Sequence, residues 1–580
     1  MSSKILRLST LLGGLAFVSV AQADRYIVSL KSSNAFKSAT SALNESVRLG
    51  VSRRDLLGRT TLQRPRLLGT QAHLTSALDN LSMVVVDADA SAAAALAQRP
   101  EVAFVEKEFF FAAPRLPLGA SESNATEAKP SEREITWGLG AVKAPEAWSA
   151  VSTAGSQGAG VRVLVIDTGI DRDHADLKEN FEEGKNFITS RDPMEDDESD
   201  SASLGAFLAS PFALAPAGIE ADMPYDYYDQ VGHGSHVAGT IAGVANNVGV
   251  VGVAPLSKIL AGRVCGKMGC SSVAIVNAIN WAITKKVDVI NMSLGGPMPS
   301  RAQENALIAV ESANIVSVAA SGNDGTATVS YPAAYSSVLA VGAIDVKLAK
   351  AVFSNWGPEL DLVAPGVDVL SSVPTGSGRA SQVKVSLSGV QTELVSTSFV
   401  GSAERDVTGA LVFAGLGKPE NFTSEVSGKI ALIQRGEIPF ADKVTNAIKA
   451  GAVAVLVFNN APGLISGAIT QDGSTVAIPV AMIEQSAGED IKAKLAAAPL
   501  TVTASLATVK TDYAAFQGTS MASPHAAGVA ALVRGANKSL TAGQVKELLK
   551  STAVAAPTNP DNQFGTGYIN ALSAVQAAQR

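Results

Sequence analysis

The chain has 580 residues, of which 47% are apolar and 17% charged. Most of the chain can therefore fold around cores, and the length predicts two to four domains. The formal net charge of -7 excludes the basic footprint of a nucleic-acid binder and otherwise says only that the surface is mildly acidic.

The first element concerns export. Lys4 and Arg7 form a positive region, Leu11–Val20 a short apolar run, and Ala21–Ala23 an A-x-A cleavage site. Residues 1–23 therefore read as a signal peptide. An uncut membrane anchor is the alternative, but the run is short for a bilayer, and no later stretch reaches the roughly 18 apolar residues of a spanning helix. The expected destination is outside the cytoplasm, extracellular or periplasmic, with no stable membrane anchor. Residues 24–113 read as a small domain. In it "DRYIVSL" alternates like the edge of a sheet, and His73–Phe111 reads helix, strand, helix, strand. Residues 114–134, rich in Ala, Pro, Ser and Glu without apolar period, read as a linker.

From Ile135 the pattern becomes α/β. "VRVLVIDTG", "KILAGRVC", "VDVINMSLGG", "NIVSVAASGN" and "SVLAVGAID" are β-branched runs, separated by helical stretches such as "SSVAIVNAINWAITKK" and "RAQENALIAVESA". Such alternation predicts a parallel sheet with its active residues just beyond the carboxyl ends of strands. Two insertions interrupt it. The first, about 188–230, is acidic and reads as a solvated loop, with a cation site as the alternative. The second, 384–506, has strands and a helix of its own and reads as a separate small domain. The α/β unit thus spans 135–383 and 507–580.

Cys265 and Cys270 are the only cysteines. In an exported chain their glycine-containing loop favours a local disulfide over two buried thiols, and two cysteines do not make a structural zinc site. Two of the five histidines, His233 and His236, stand three apart in "GHGSHVAGT". A zinc helix uses H-E-x-x-H, so metal is disfavoured and one of the pair is left as a base. A serine hydrolase needs a nucleophile, a base, an acid that orients the base, and donors for an oxyanion. Asp167 ends an apolar strand, His233 begins a helix, Ser520 opens another at "GTSMASP", and Asn323 follows a strand at "ASGNDG". Each short motif alone is equally a turn, and a lone Asp-Thr-Gly is also half of an aspartic-protease dyad. An α/β-hydrolase esterase needs Ser, acid, His in that order. After Ser520 the only histidine is His525, five residues on, and the only aspartate is Asp561, which do not suit it. A non-catalytic binding module is the alternative of another class.

Taken together, "VLVIDTGIDRDHADL", "GHGSHVAGTIAG", "VINMSLGGP", "AASGNDG" and "GTSMASPHAAGVAALV" resemble the subtilisin-like serine peptidases, the subtilases, from about Trp137 to the end apart from the two insertions. The resemblance implies a parallel-sheet catalytic domain with helices on both faces. It implies Asp167 as orienting acid, His233 as base, Ser520 as nucleophile, and Asn323 with the Ser520 amide as oxyanion donors. It makes Ser293, Leu294, Gly295 and Gly296 the segment that pairs with substrate backbone. Ala319, Ala320, Ser321 and Gly322 become a wall of the specificity pocket with Ser330 at its base, which favours an apolar residue before the scissile bond. His236 becomes a packed structural residue. Residues 24–113 resemble the family's inhibitor-type α+β propeptide, implying a self-processed zymogen that its own propeptide inhibits. Residues 384–506 resemble the protease-associated (PA) domain. Partners are then protein or peptide substrates, with a monomer expected and no cofactor required. Calcium is an open question. Asp176 matches a common ligand, but the loop "VANNVGVVGVAP" is compact and Ala175 stands where the family pattern has proline.

Overall fold

The computed structural model describes residues 24–49, 52–54, 60–62, 66–112, 135–150, 157–188, 227–266, 269–387, 390–399, 401–460, 464, 469–470, 474–497 and 502–580. The expected signal peptide, the linker 114–134 and nearly all of the acidic insertion lie outside these residues. Among the described residues no helix is long and apolar enough to cross a membrane.

The N-terminal unit is a four-stranded antiparallel sheet in the order His73–Leu78, Met83–Ala88, Asp24–Leu30, Val102–Lys107, with helices Ser33–Leu49 and Ala90–Ala97. Two expectations need correcting here. Asp24–Leu30 is an inner strand, hydrogen-bonded on both sides, rather than an edge. Residues His73–Leu78 form a strand rather than a helix, because they fold back on Met83–Ala88 as a hairpin, and that pairing overrides local pattern. The unit docks through an apolar face, with Ile27, Leu78, Met83 and Val85 in one buried cluster with helices Ser272–Lys285 and Arg301–Ser312, and through polar caps. The Glu106 carboxylate accepts from Ser300 Oγ and, at 2.9 Å, from Arg301 N, at the positive end of helix Arg301–Ser312. Asn80 donates to Asn280 O at 3.1 Å and to Thr284 Oγ1 at 2.9 Å.

The central unit is a seven-stranded parallel sheet. Its order is Leu362–Pro365, Val338–Ile344, Val316–Ala320, Val289–Met292, Arg162–Asp167, Lys258–Arg263, Phe181–Asn186. Both faces of the inner strands are covered, which is why they read as apolar runs, whereas the edge strand Phe181–Asn186 is polar and part-exposed. Along Arg162–Asp167, Val163 and Val165 face a cluster with helices His233–Ala242 and Thr519–Ala536. Leu164 and Ile166 face the opposite cluster with Ser272–Lys285 and Arg301–Ser312. Each such buried Val, Leu or Ile contributes about 1.5–3 kcal/mol. From Arg162–Asp167 the chain first builds the two strands on one side and later the four on the other. The order thus reverses at the strand that ends in Asp167, the place where open α/β sheets hold ligands.

The second insertion forms an eight-stranded sheet running from Gly378–Leu387 to Thr503–Thr511, with helices Phe440–Lys449 and Gln485–Ala497 on its two faces. It is wider than the expected 384–506. Its first and last strands pair from Gly378↔Thr511 inward, but polar Ser381, Gln382 and Lys510 make their outer ends read as loop. The insertion rises from an antiparallel ribbon, Val369–Ser372 with Tyr513–Phe516, which packs on helix His233–Ala242 and leads straight to Ser520.

Candidate active site

Asp167 and His233 meet at the switch strand. Asp167 Oδ1 lies 2.7 Å from His233 Nδ1, and both side chains are buried. The same oxygen accepts from Thr168 N at 2.8 Å. Nδ1 is thereby committed to the carboxylate, and Nε2 is left to act as a base. Burial pushes the imidazole pKa down. The Asp167 charge and hydrogen bond, helped by the Asp229 charge, outweigh it and hold His233 above its ordinary value.

Ser520 is the second residue of helix Thr519–Ala536, where backbone N–H groups lack intrahelical partners. Its hydroxyl donates to Ser293 O at 3.2 Å, and Ser293 Oγ donates back to Ser520 O at 2.8 Å. To act as a nucleophile this hydroxyl would have to turn from Ser293 O toward the imidazole, and such catalytic hydrogen bonds commonly tighten only when substrate is bound. Asn323 Oδ1 accepts from Thr519 N at 2.8 Å and from Thr519 Oγ1 at 2.9 Å. With the oxygen so occupied, Nδ2 is the free donor, and it sits beside Gly518.

The expected pocket residues divide. Gly322, at φ +110, backs onto Ser330 and Asn355, and a Cβ there would lie 2.4 Å from Ser330 Oγ. Ser321 Oγ donates to Asn355 O at 3.0 Å. Ala319 is buried in the core cluster rather than free to line a cavity, and Ala320 is 4% exposed. Among the expected backbone-pairing residues, Gly296 spends its N–H and its carbonyl on Tyr331, so it lines the groove without adding to a ladder. Leu294 is buried beside it, and Gly295 backs onto Tyr331 O. The strand that does accept an extended segment is Gly269–Ser271, paired antiparallel with the chain's own Phe110–Ala112. Nothing in the local pattern of "GCS" announces that role.

Thr519 and Asn355 were likewise not read from the sequence. Thr519 holds the Asn323 side chain as above and its Oγ1 accepts from Gly322 N at 3.1 Å, while Asn355 Oδ1 accepts from Asp324 N at 2.8 Å. The most telling omission is Asp229. Its Oδ1 accepts from Thr168 Oγ1 at 2.9 Å, Val231 N at 3.0 Å and Gly232 N at 2.8 Å, and its Oδ2 from Ser235 N at 2.8 Å. Thr168 Oγ1 in turn accepts from Gly234 N at 2.9 Å. One buried carboxylate thus ties the residue after Asp167 to the turn that carries His233. Burial raises its pKa, opposed by these donors, which together suit the ionised form. Asp229→Asn would set an amide NH2 against one of those N–H donors, costing about 1–3 kcal/mol. The expected result is a lower melting temperature together with an acid limb of kcat/KM moved to lower pH, because a charge that raises His233 is gone. A pH–rate profile that stays in place counts against this role.

His236 has different partners from His233. Its Nε2 donates to Val369 O at 2.8 Å and Ala514 O at 3.1 Å, one carbonyl from each strand of the ribbon. Its ring stacks on Phe516, and burial pushes its pKa down to about 3. Cys265 and Cys270 are joined in a disulfide. At the calcium candidate, Asp176 Oδ1 accepts from Asn246 Nδ2 at 3.1 Å and Oδ2 from Val250 N at 3.0 Å. Both oxygens thus face donors from the loop that follows helix His233–Ala242. Among the described residues no group of three or more His, Cys, Asp or Glu side chains is placed to hold a metal ion.

Comparison with known proteins agrees with this architecture. The subtilase family model matches residues 158–398 and 458–567, and the PA domain model matches 407–491. Subtilisin of Bacillus pumilus is 39% identical over 250 residues, covering 42% of this chain and 77% of the relative. Subtilisin E of Bacillus subtilis (strain 168) is 36% identical over 294 residues, covering 50% of this chain and 63% of the relative. The crystal structure of a psychrophilic subtilisin-like protease from the Antarctic psychrotroph Pseudoalteromonas sp. AS-11 superposes with a TM-score of 0.53 at 28% identity, covering 76% of this chain and 98% of that one. On fold and sequence alike, the chain belongs to the subtilase family and is a serine endopeptidase with a PA domain.

Proposed function

We propose that the chain is an exported, self-processing zymogen whose endopeptidase uses Ser520 as nucleophile, His233 as base and Asp167 as orienting acid. The observation that carries this is the 2.7 Å bond between buried Asp167 and His233 Nδ1, beside the helix that begins at Thr519. His233 Nε2 takes the Ser520 proton as Oγ attacks the scissile carbonyl. The oxyanion forms against Asn323 Nδ2 and the Ser520 N–H. The imidazolium then protonates the leaving amine, and water repeats the sequence on the acyl-enzyme. Asp167 keeps the proton-bearing Nδ1 fixed and offsets the imidazolium charge.

The N-terminal unit is the inhibitor in this reading. Its last described strand, Phe110–Ala112, lies on Gly269–Ser271, and Phe111 is buried in the cluster that includes Leu294. This supports occupation of the groove by the chain's own segment and a preference for apolar residues before the cut. N-terminal sequencing of the mature secreted enzyme tests both: the new terminus should fall after Ala112, with an apolar residue before it. A terminus upstream of Phe110, or an unprocessed mature enzyme, would overturn the reading.

The oxyanion donor has its own signature. Asn323→Leu should lower kcat about 10²–10³-fold with little change in KM, since Nδ2 gains its partner only in the transition state. Steady-state kinetics on a peptide anilide would decide it, and a loss confined to KM would reject the assignment.

A further inference from the structure

The disulfide sits where substrate backbone is expected. Cys265 and Cys270 are directly opposed in a hairpin whose only other described pair is Gly266↔Gly269. So short a ladder, with glycine on both strands of that pair, is weak at fixing its own register. Gly269–Ser271 is now a middle strand, between Cys265–Gly266 and Phe110–Ala112. Release of the N-terminal segment turns it into an edge, the type that takes an extended peptide by strand addition. At one end of this strand, Ser271 Oγ caps helix Ser272–Lys285 by accepting from Ala274 N at 3.0 Å. At the middle residue the covalent link to Cys265 holds it.

Phe111 shows what this edge receives. It pairs opposite Cys270, is 4% exposed, and packs in the cluster that contains both cysteines, Val273 and Leu294. On another side it meets Gly296, where a Cβ would lie 2.7 Å from the ring. Ser293, three residues before Gly296, is hydrogen-bonded to Ser520, so the groove holding Phe111 leads to the proposed nucleophile. We propose that the Cys265–Cys270 disulfide is a specificity-determining element, fixing the edge strand and the apolar site that select an aromatic residue upstream of the scissile bond. This rests on Ser520 being the nucleophile. The disulfide acts on how extended peptides bind and not on bond making at Ser520.

The test compares mature wild type with Cys265→Ser/Cys270→Ser, each quantified by fluorophosphonate titration. The substrates are pentapeptide anilides in which a single Phe is walked through alanines. Wild type should prefer one upstream Phe position over the all-Ala peptide by about 10–100-fold in kcat/KM, carried by KM. The double variant should lose most of that preference. The preference is a ratio within one enzyme, so a general loss of stability or active fraction does not move it. Should the serine pair fail to fold, Cys265→Ala/Cys270→Ala, apolar within an apolar cluster, carries the same comparison. A preference of unchanged size in the variant overturns the proposal. Cleavage that survives Ser520→Ala overturns instead the site assignment on which it rests.

Discussion

Ser520→Ala should lower kcat by about 10⁶-fold and leave a chain that is folded but uncut. The hydroxyl has one modest bond in the resting structure, to Ser293 O at 3.2 Å, so its removal costs little stability. It is also the atom proposed to form the acyl-enzyme, so almost all turnover should go with it. His233→Ala should cost a similar amount, and combining the two should cost little more. A nucleophile and its base act as a unit, and the residual rate then comes from substrate binding and the oxyanion donors. Three readouts should move together: peptide hydrolysis, labelling by a fluorophosphonate, and appearance of the processed form on a gel. Labelling that persists in Ser520→Ala would place the nucleophile elsewhere. Full additivity of the two losses would show that Ser520 and His233 do not work on one proton.

The site was legible where chemistry is written into contiguous strings. Asp167, His233, Ser520 and Asn323 each end or begin an element, and such ends carry strong local signals: an apolar run that stops, or a glycine before a helix. Asp229 was not legible, because its four donors come from Thr168 and from the turn beyond it, and only the folded chain brings these together. Gly269–Ser271 was not legible for a related reason. A three-residue strand has too few positions for a period, and its partner lies about 160 residues earlier. The inner parallel strands were easy to find because burial on both faces leaves few polar positions in them, whereas the edge strand Phe181–Asn186, FEEGKN and part-exposed, carries no such run. The N-terminal hairpin and the polar stems of the insertion were harder, since their pairing and not their composition makes them strands. Gly296 marks a limit of reasoning from resemblance: the residue is in the groove, but its backbone is already committed to Tyr331.

Asp167→Asn separates two things a carboxylate can do beside an imidazole: fix the tautomer and supply charge. In this protein the two come apart, because Thr168 N already donates to Asp167 Oδ1 at 2.8 Å while Oδ2 has no hydrogen-bond partner among the described residues. An asparagine would keep its oxygen toward Thr168 N and His233, since the flipped amide would set NH2 against the Thr168 N–H. The tautomer with Nδ1–H is then retained, and what is lost is the negative charge opposite the imidazolium that forms as Ser520 attacks. Leaving one partner of a buried ion pair alone costs roughly 3–5 kcal/mol, which corresponds to a 10²–10⁴-fold fall in kcat. The pH profile moves in a definite direction. In the wild type, burial lowers the His233 pKa but the Asp167 charge and hydrogen bond, helped by Asp229, more than compensate, so the acid limb of kcat/KM is expected above that of an ordinary imidazole. Below that limb the imidazole is protonated and cannot accept the Ser520 proton. Without the Asp167 charge the effect of burial is less opposed, and the limb should shift to lower pH even as the plateau drops. A plateau that falls while the limb stays fixed would mean that Asp167 only orients the ring, and that the charge beside His233 comes from elsewhere.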